Sequence, residues 1–99
     1  MSQPRDVRVE DNPTELRYEL RVDGEVGGEI RYRRQPGSVV LVHTEIEPSL
    51  EGQGLGAVLV RGALDDIRAH GARVVPFCPF VAAFIRRHPE YAELVTVEE

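Results

Sequence analysis

The sequence predicts a mixed α/β (α+β) domain: a mostly antiparallel sheet with a parallel pair at its centre and two main helices packed on it. Three observations carry that reading. Apolar and charged residues alternate on either side of Asp23-Gly24. An apolar run, Val39 to Val42, leads toward a glycine-rich stretch that opens a helix-like repeat ending near His70. A short β-branched segment, Arg73-Val74-Val75, follows directly after that helix.

Val7-Arg8-Val9 reads as a short edge strand, closed by the turn signal Asn12-Pro13. From Glu15 the alternation puts Leu16, Tyr18, Leu20 and Val22 on one side and Glu15, Arg17, Glu19 and Arg21 on the other. Asp23-Gly24 supplies the pair that a two-residue hairpin turn requires. The return strand sends Val26, Ile30 and Tyr32 inward, and Gly27-Gly28 marks a bulge or a close neighbour. Gln35-Pro36-Gly37-Ser38 makes the next turn, and Val39 to Ile46 reads as a strand in the sheet's middle, apolar at first on both faces and then polar.

The helix from Leu55 carries a stripe of Leu55, Val58, Leu59, Gly62, Ala63 and Ile67, with Gly71 as its natural stop. A helical crossover makes Arg73-Val74-Val75 a parallel neighbour of the Val39 strand. Pro76 and Pro79 break the backbone around Cys78, Phe80 to His88 forms a second helix stopped by Pro89, and Tyr91 to Val97 is expected as a last edge segment ahead of a fraying Glu98-Glu99.

At 99 residues, the chain reads as a single domain over 1–99, with 41% hydrophobic residues to build a shallow core. That leaves a monomer or a homodimer. The net charge is −5, no basic cluster interleaves with aromatics, and all 12 basic residues are arginine. This argues against a nucleic-acid partner. A single cysteine excludes an intrachain disulfide, no metal-ligand spacing is present, and neither a signal segment nor a membrane-spanning stretch is visible. The expectation is a cytoplasmic protein with no membrane partner and no metal.

The stretch Glu51-Gly52-Gln53-Gly54-Leu55-Gly56-Ala57 concentrates glycine at alternate positions just before the helix. Amides at a helix start lack intrahelical partners and sit at the positive end of the dipole, which suits a phosphate or pyrophosphate. A Walker A loop is excluded because the chain has no lysine. G-x-G-x-x-G fails from Gly54, where Leu59 stands sixth; from Gly52 it meets the permitted Ala57, but Glu47-Pro48-Ser49-Leu50 separates the strand from the turn. The plain alternative is a glycine-rich loop that merely enters a helix.

The order of a β-meander, a central strand, a Gly-x-Gly-x-Gly turn, a helix, a strand and a second helix resembles the GNAT N-acetyltransferase superfamily, in particular its small stand-alone bacterial branch. The resemblance rests on His43-Thr44-Glu45, on Gly52 to Gly56, and on Cys78-Pro79-Phe80 with Arg86-Arg87-His88-Pro89-Glu90-Tyr91. It implies binding of acetyl-CoA and transfer of its acetyl group to an amine acceptor. It also implies that Gly52, Gln53, Gly54, Leu55, Gly56 and Ala57 hold the CoA pyrophosphate through backbone amides. The pattern departs at Glu51, where the family usually carries Arg or Gln; a carboxylate there repels a nearby pyrophosphate. Larger members add N-terminal helices, for which this chain lacks the length.

Amine acetylation needs a base for the amine and a means of stabilising the leaving thiolate. His43 has a pKa suited to taking a proton near neutrality, or is a histidine bonded to backbone. Glu45 acts through a water, or is a solvated strand end. Cys78 accepts acetyl covalently, protonates the departing thiolate, or fills a small apolar site. Tyr91, Arg86 and Arg87 are secondary candidates, and His70 and His88 read as helix-end residues. Two functions follow: an acetyl-CoA-dependent N-acetyltransferase with His43, Glu45 and Cys78 as catalytic candidates, or a non-enzymatic acyl-CoA-binding or sensing module of the same fold.

Overall fold

The computed structural model describes residues 5–97; the predicted fraying end, Glu98-Glu99, lies outside the described residues. Five strands, β1 (Val7–Asn12), β2 (Arg17–Val22), β3 (Glu25–Gln35), β4 (Ser38–Ile46) and β5 (Arg73–Pro76), form one sheet in the order β1-β2-β3-β4-β5. The first four pair antiparallel, and β4 and β5 pair parallel. Helix α1 (Leu55–Ala69) supplies the crossover between β4 and β5, and α2 (Pro79–Arg87) follows β5.

The turns form for local reasons. Asp23 and Gly24 both have positive φ, 52° and 86°, as the tight hairpin between β2 and β3 demands. Pro36-Gly37 joins β3 to β4, with Gln35 paired to Ser38 across the turn. Leu16, expected inside, instead sits in the turn before β2 with φ 53° and lies exposed. Val26 is exposed too, because a bulge interrupts the alternation beside it.

Two bulges shape the sheet. Leu20 pairs with Gly28 and Arg21 with Val26, leaving Gly27 unmatched. Gly28 answers the expectation of a close neighbour: a Cβ there would lie 2.9 Å from the Glu45 carbonyl oxygen and 2.7 Å from the Ile46 side chain. The second bulge leaves Val42 unmatched between the pairs Arg31–His43 and Tyr32–Leu41. An extra residue in one strand reverses the facing of everything after it. Val39 and Leu41 therefore share the core face with Thr44 and Ile46, the partners of Ile30 and Gly28.

That face carries the core, where Leu20, Ile30 and Leu41 pack with Leu59, Leu64 and Ile67 of α1 and with Val81, Phe84 and Ile85 of α2. Fully burying a leucine or isoleucine stabilises by roughly 1.5–3 kcal/mol each. The buried stripe of α1 is Leu55, Leu59, Val60, Ala63, Leu64 and Ile67. It is rotated from the expected one, which included Val58. The four apolar residues from Ala57 to Val60 leave periodicity no means of choosing a face. Gly62 is the contact point with the edge strand: a Cβ there would sit 2.6 Å from Val9.

The opposite face of the sheet has no helix of the described chain over it, and over β2 and β3 charge covers it instead, while Val40 and Val75 lie buried on it at the β4–β5 pair. Glu19 is 3% exposed and accepts from Asn12, Arg17 and Arg21 at 3.0, 2.9 and 2.8 Å. Glu29 ties Arg17 and Arg31 at 2.8 Å each.

The segment after α2 is a 3-10 turn, Pro89–Leu94, rather than an edge strand. Arg68 and Arg73 donate to the carbonyls of Glu90 and Glu93 at 2.6 and 2.7 Å, which draws this segment into a turn across α1 and β5. Beyond that turn, Val95 bridges to Val74 of β5, whose carbonyl accepts from the Thr96 amide at 2.8 Å.

Candidate active site

A single turn of 3-10 helix, Pro48–Leu50, carries the chain from β4 to the glycine loop. Gly52 and Gly54 adopt positive φ, 80° and 75°, and a Cβ at either would meet nothing within 4 Å. Backbone conformation, not crowding, requires glycine at both. Gly56 differs: its φ is ordinary, but a Cβ would come 2.8 Å from the Phe80 ring, so close packing requires it. Gly54 caps α1 in the left-handed conformation, no side chain caps the helix, and its first turn carries no acidic residue. The first amides of α1 are thus left facing open space with the helix dipole behind them.

These amides border a cleft of about 380 Å³. Five of the six predicted cofactor residues line it: Gly52, Gly54, Leu55, Gly56 and Ala57. Gln53 does not; its side chain accepts from Arg5 and donates to the Ser49 carbonyl at 3.4 Å. The other lining residues are Thr44, Ile46, Leu50, Glu51 and Phe80. Larger clefts lie elsewhere, two of about 520 Å³ between the β2–β3 hairpin and Leu50 and beside the β3–β4 turn, and one of about 460 Å³ along the side of α1 against Val9, Phe84 and His88, but none is lined by the run from Gly54 to Ala57. Charge complementarity, not volume, selects the smaller one.

At the cleft's other end the sheet divides. Pairing between β4 and β5 runs from Ser38–Arg73 to Leu41–Pro76, and the Cys78 amide then donates to the Leu41 carbonyl at 2.8 Å. Among the described residues β4 continues to Ile46 paired with β3 alone. Here the Val42 bulge decides which side chains face the cleft. Thr44 lines it, 3.3 Å from the Cys78 sulfur. His43 and Glu45 stand on the other face beside Arg31 and Glu29, both exposed, with Nε2 and Oε1 3.1 Å apart. The three catalytic candidates therefore do not converge. Two flank one face, and Cys78, 3% exposed and at the N-cap of α2, lies behind Thr44 on the other.

Thr44 is the residue that sequence reasoning passed over. It lay between two stronger candidates, and nothing near Val42 announced the bulge that turns it toward the cleft. Phe80 had a clearer signal, being an apolar residue at the start of a helix that leaves it 47% exposed.

The remaining candidates are engaged structurally. The Tyr91 hydroxyl donates to Asp65 at 2.6 Å, and burial, followed by that bond, raises its pKa. His70 and His88 each bond through Nδ1 to the carbonyl four residues back, at 2.8 Å. Arg86 and Arg87 are exposed at the end of α2. Among the described residues no group of three or more His, Cys, Asp or Glu side chains comes together for a metal, and no helix is long and apolar enough to cross a membrane.

Comparison with known families gives a match over residues 17–94 to the model of the GCN5-related N-acetyltransferases. The chain belongs to this family. As a family member it is an acetyltransferase, and acetyl transfer is the general chemistry assigned to it. Among solved structures it is similar to the NMR solution structure of a GCN5-like N-acetyltransferase candidate from Staphylococcus aureus, at 20% identity and a TM-score of 0.68, covering 93% of this chain and 90% of that one. That likeness supports the fold: a mixed sheet with helices in the same arrangement. A search of curated proteins finds no match.

Proposed function

We propose that this GCN5-related protein is an acetyl-CoA-dependent N-acetyltransferase acting on a small-molecule or protein amine. The observation that carries the reading is the cleft itself, which runs from uncapped helix amides to the point where β4 and β5 part. The residues fit a CoA group. Open space above Gly52 and Gly54 admits a pyrophosphate against the amides of Leu55 to Ala57, and Phe80 and Ile46 offer apolar walls to the pantetheine arm. Bound there, acetyl-CoA supplies the thioester that an amine attacks.

The parting of the strands leaves the thioester accessible from the opposite face, where His43 and Glu45 stand. In this reading His43 takes the proton of the attacking amine at Nδ1, while Nε2–H donates to Glu45 Oε1, 3.1 Å away, which steadies the resulting imidazolium. Direct transfer is favoured over an acetyl-cysteine because the Cys78 thiol is buried and does not border the cleft. One observation favours a second reading, an acyl-CoA-binding module without turnover: Glu51 lines the cleft and lowers its affinity for anions.

Thermal unfolding with acetyl-CoA, CoA and desulfo-CoA tests the binding half. A ligand that binds only the folded chain at a hundredfold excess over Kd stabilises by about 2.7 kcal/mol. Gly54→Asp is the control, since Asp tolerates left-handed backbone and places a carboxylate in the cradle. The expected result is a saturable upward shift that the variant loses. No shift at millimolar ligand removes both readings, and a shift without turnover on a panel of amines leaves the binding module.

A further inference from the structure

Among the described residues, the contact between Thr44 and Cys78 is the one polar link from a side chain bordering the cleft to the buried thiol behind it. Thr44 Oγ1 and Cys78 Sγ are 3.3 Å apart, a separation within reach of a sulfur hydrogen bond. Either atom could donate, and the surroundings decide between them. The thiol is 3% exposed at the foot of α2, and this is its sole hydrogen-bonding contact among the described residues. A thiol has one proton to give, and here one oxygen to receive it. The Thr44 hydroxyl has one proton and two lone pairs. If the thiol donates to one lone pair, the hydroxyl proton is left for the cleft, the other direction in which Thr44 faces.

We propose that Thr44 carries the hydroxyl that stabilises the sulfur leaving coenzyme A, and that Cys78 is the positioning residue that aims it. The inference rests on the acetyltransferase reading above. During transfer the amine nitrogen forms a bond to the thioester carbon, the carbon–sulfur bond breaks, and the sulfur departs with the bonding pair. Thr44 donates a hydrogen bond to that sulfur as its charge develops, and the thiolate then takes a proton from solvent. The amine's surplus proton goes to His43 on the opposite face, and His43 returns it to solvent. Adjacent residues of β4 thereby serve the two ends of one reaction: strand alternation sets them on opposite sides of the sheet, and the bulge at Val42 makes Thr44 the one that faces the cleft. Cys78 forms no bond to acetyl, since its thiol proton is committed to Thr44 Oγ1 and its sulfur does not border the cleft.

The test reads the CoA thiol directly and needs no acceptor. Thiolate absorbance near 240 nm is followed against pH in the CoA complex, with the desulfo-CoA complex as the blank that removes Cys78 and the tyrosines. A donor facing the sulfur favours thiolate, so the midpoint in the wild-type complex should lie below that in Thr44→Val by about one pH unit, a tenfold change in acid constant. Thr44→Ser and Cys78→Ser both retain a hydroxyl where one is needed and should keep the wild-type midpoint. Intact mass after incubation with acetyl-CoA should show no adduct on Cys78. Equal midpoints in wild type and Thr44→Val overturn the proposal while leaving CoA binding intact. So does an acetyl adduct on Cys78, or a Cys78→Ala midpoint equal to that of wild type, since loss of the thiol that aims Thr44 should raise it toward the Thr44→Val value. A wild-type chain that fails to bind CoA instead overturns the underlying reading, and the proposal with it.

Discussion

Leu20 and Glu19 are neighbours in β2, 0% and 3% exposed, and they are buried on opposite faces by unlike physics. Leu20 lies under the helices in a core of aliphatic contacts. Glu19 lies on the uncovered face, roofed by the side chains of Arg17 and Arg21 that bond its carboxylate. One face is held by the removal of apolar surface from water, which neither pH nor salt greatly alters. The other depends on ionised groups and is tunable by both. A sheet without a second helical layer still protects its backbone this way, and it leaves room beside the ladder for the exposed pair His43 and Glu45.

The largest effect should come from the covered face. Leu20→Ala removes a fully buried side chain and should cost about 3 kcal/mol in denaturant unfolding. The loss should be the same at pH 7 and pH 5, with or without molar salt. A loss below about 1 kcal/mol would mean that the helices settle into the gap, and that this face is less tightly packed than its burial indicates.

Glu19→Gln should cost less, about 1–2 kcal/mol at neutral pH, and its cost should depend on conditions. The Asn12 bond holds the Glu19 pKa below the usual carboxylate range, aided by the bonds from Arg21 and Arg17 against the opposing effect of burial. A lowered folded-state value means that the folded chain binds fewer protons than the unfolded one. The contribution is therefore complete above the ordinary value, about 4.3, and is lost as pH falls toward the folded one. The gap between wild type and Glu19→Gln should close on acidification below pH 5 while the Leu20→Ala gap persists. Parallel losses for both variants would erase the distinction between the faces.

The covered face has a titration of its own, at alkaline pH. All three tyrosine hydroxyls donate a hydrogen bond to an aspartate: Tyr18 to Asp66, Tyr32 to Asp11 and Tyr91 to Asp65, at 2.7, 2.6 and 2.6 Å. Burial first, and these bonds second, raise all three pKa values, that of Tyr32 up to about 12. Because the folded values are raised, their stabilisation is complete below about pH 10 and disappears as pH rises through the folded values. With no lysine in the chain, no ammonium titrates in that window. Tyrosinate absorbance at 295 nm should therefore stay low in the folded chain past pH 10 and rise with unfolding. Tyr18→Phe should cost about 1 kcal/mol at pH 8 and make the alkaline decline shallower. A full tyrosinate signal at pH 10 from a chain that is still folded would contradict it.

Legibility in the sequence followed how local each cause is. Asp23-Gly24 and Pro36-Gly37 encode their turns within two residues, and Gly27-Gly28 announced a bulge because glycine has few other reasons to sit in a strand. The parallel neighbour of β4 followed from the crossover helix. The Val42 bulge has no such marker: a valine within an apolar run looks like any strand residue, and only the pairing with β3 exposes the extra position. Its consequence reaches the site, since it sends Thr44 to the cleft and His43 to the open face. The turn at Pro89–Leu94 was hidden for a similar reason, as its shape depends on arginines from α1 and β5.

The smallest stability effect belongs to His43→Ala, and that smallness makes it informative. His43 and Glu45 form an exposed pair, 57% and 68% accessible, and exposed pairs contribute about 0–1 kcal/mol at most. The unfolding midpoint should hardly move, in contrast to Leu20→Ala and Glu19→Gln. If His43 takes the amine's proton, the same substitution should lower turnover by about 10²–10⁴-fold. The dependence of kcat/KM on pH should also lose the limb that this catalytic base contributes. His43→Gln restores a polar side chain but no base, so it should recover neither the rate nor the limb. A wild-type pH profile in His43→Ala would make the pair one more rung of the charged ladder. The open face would then have a single role, that of shielding the sheet.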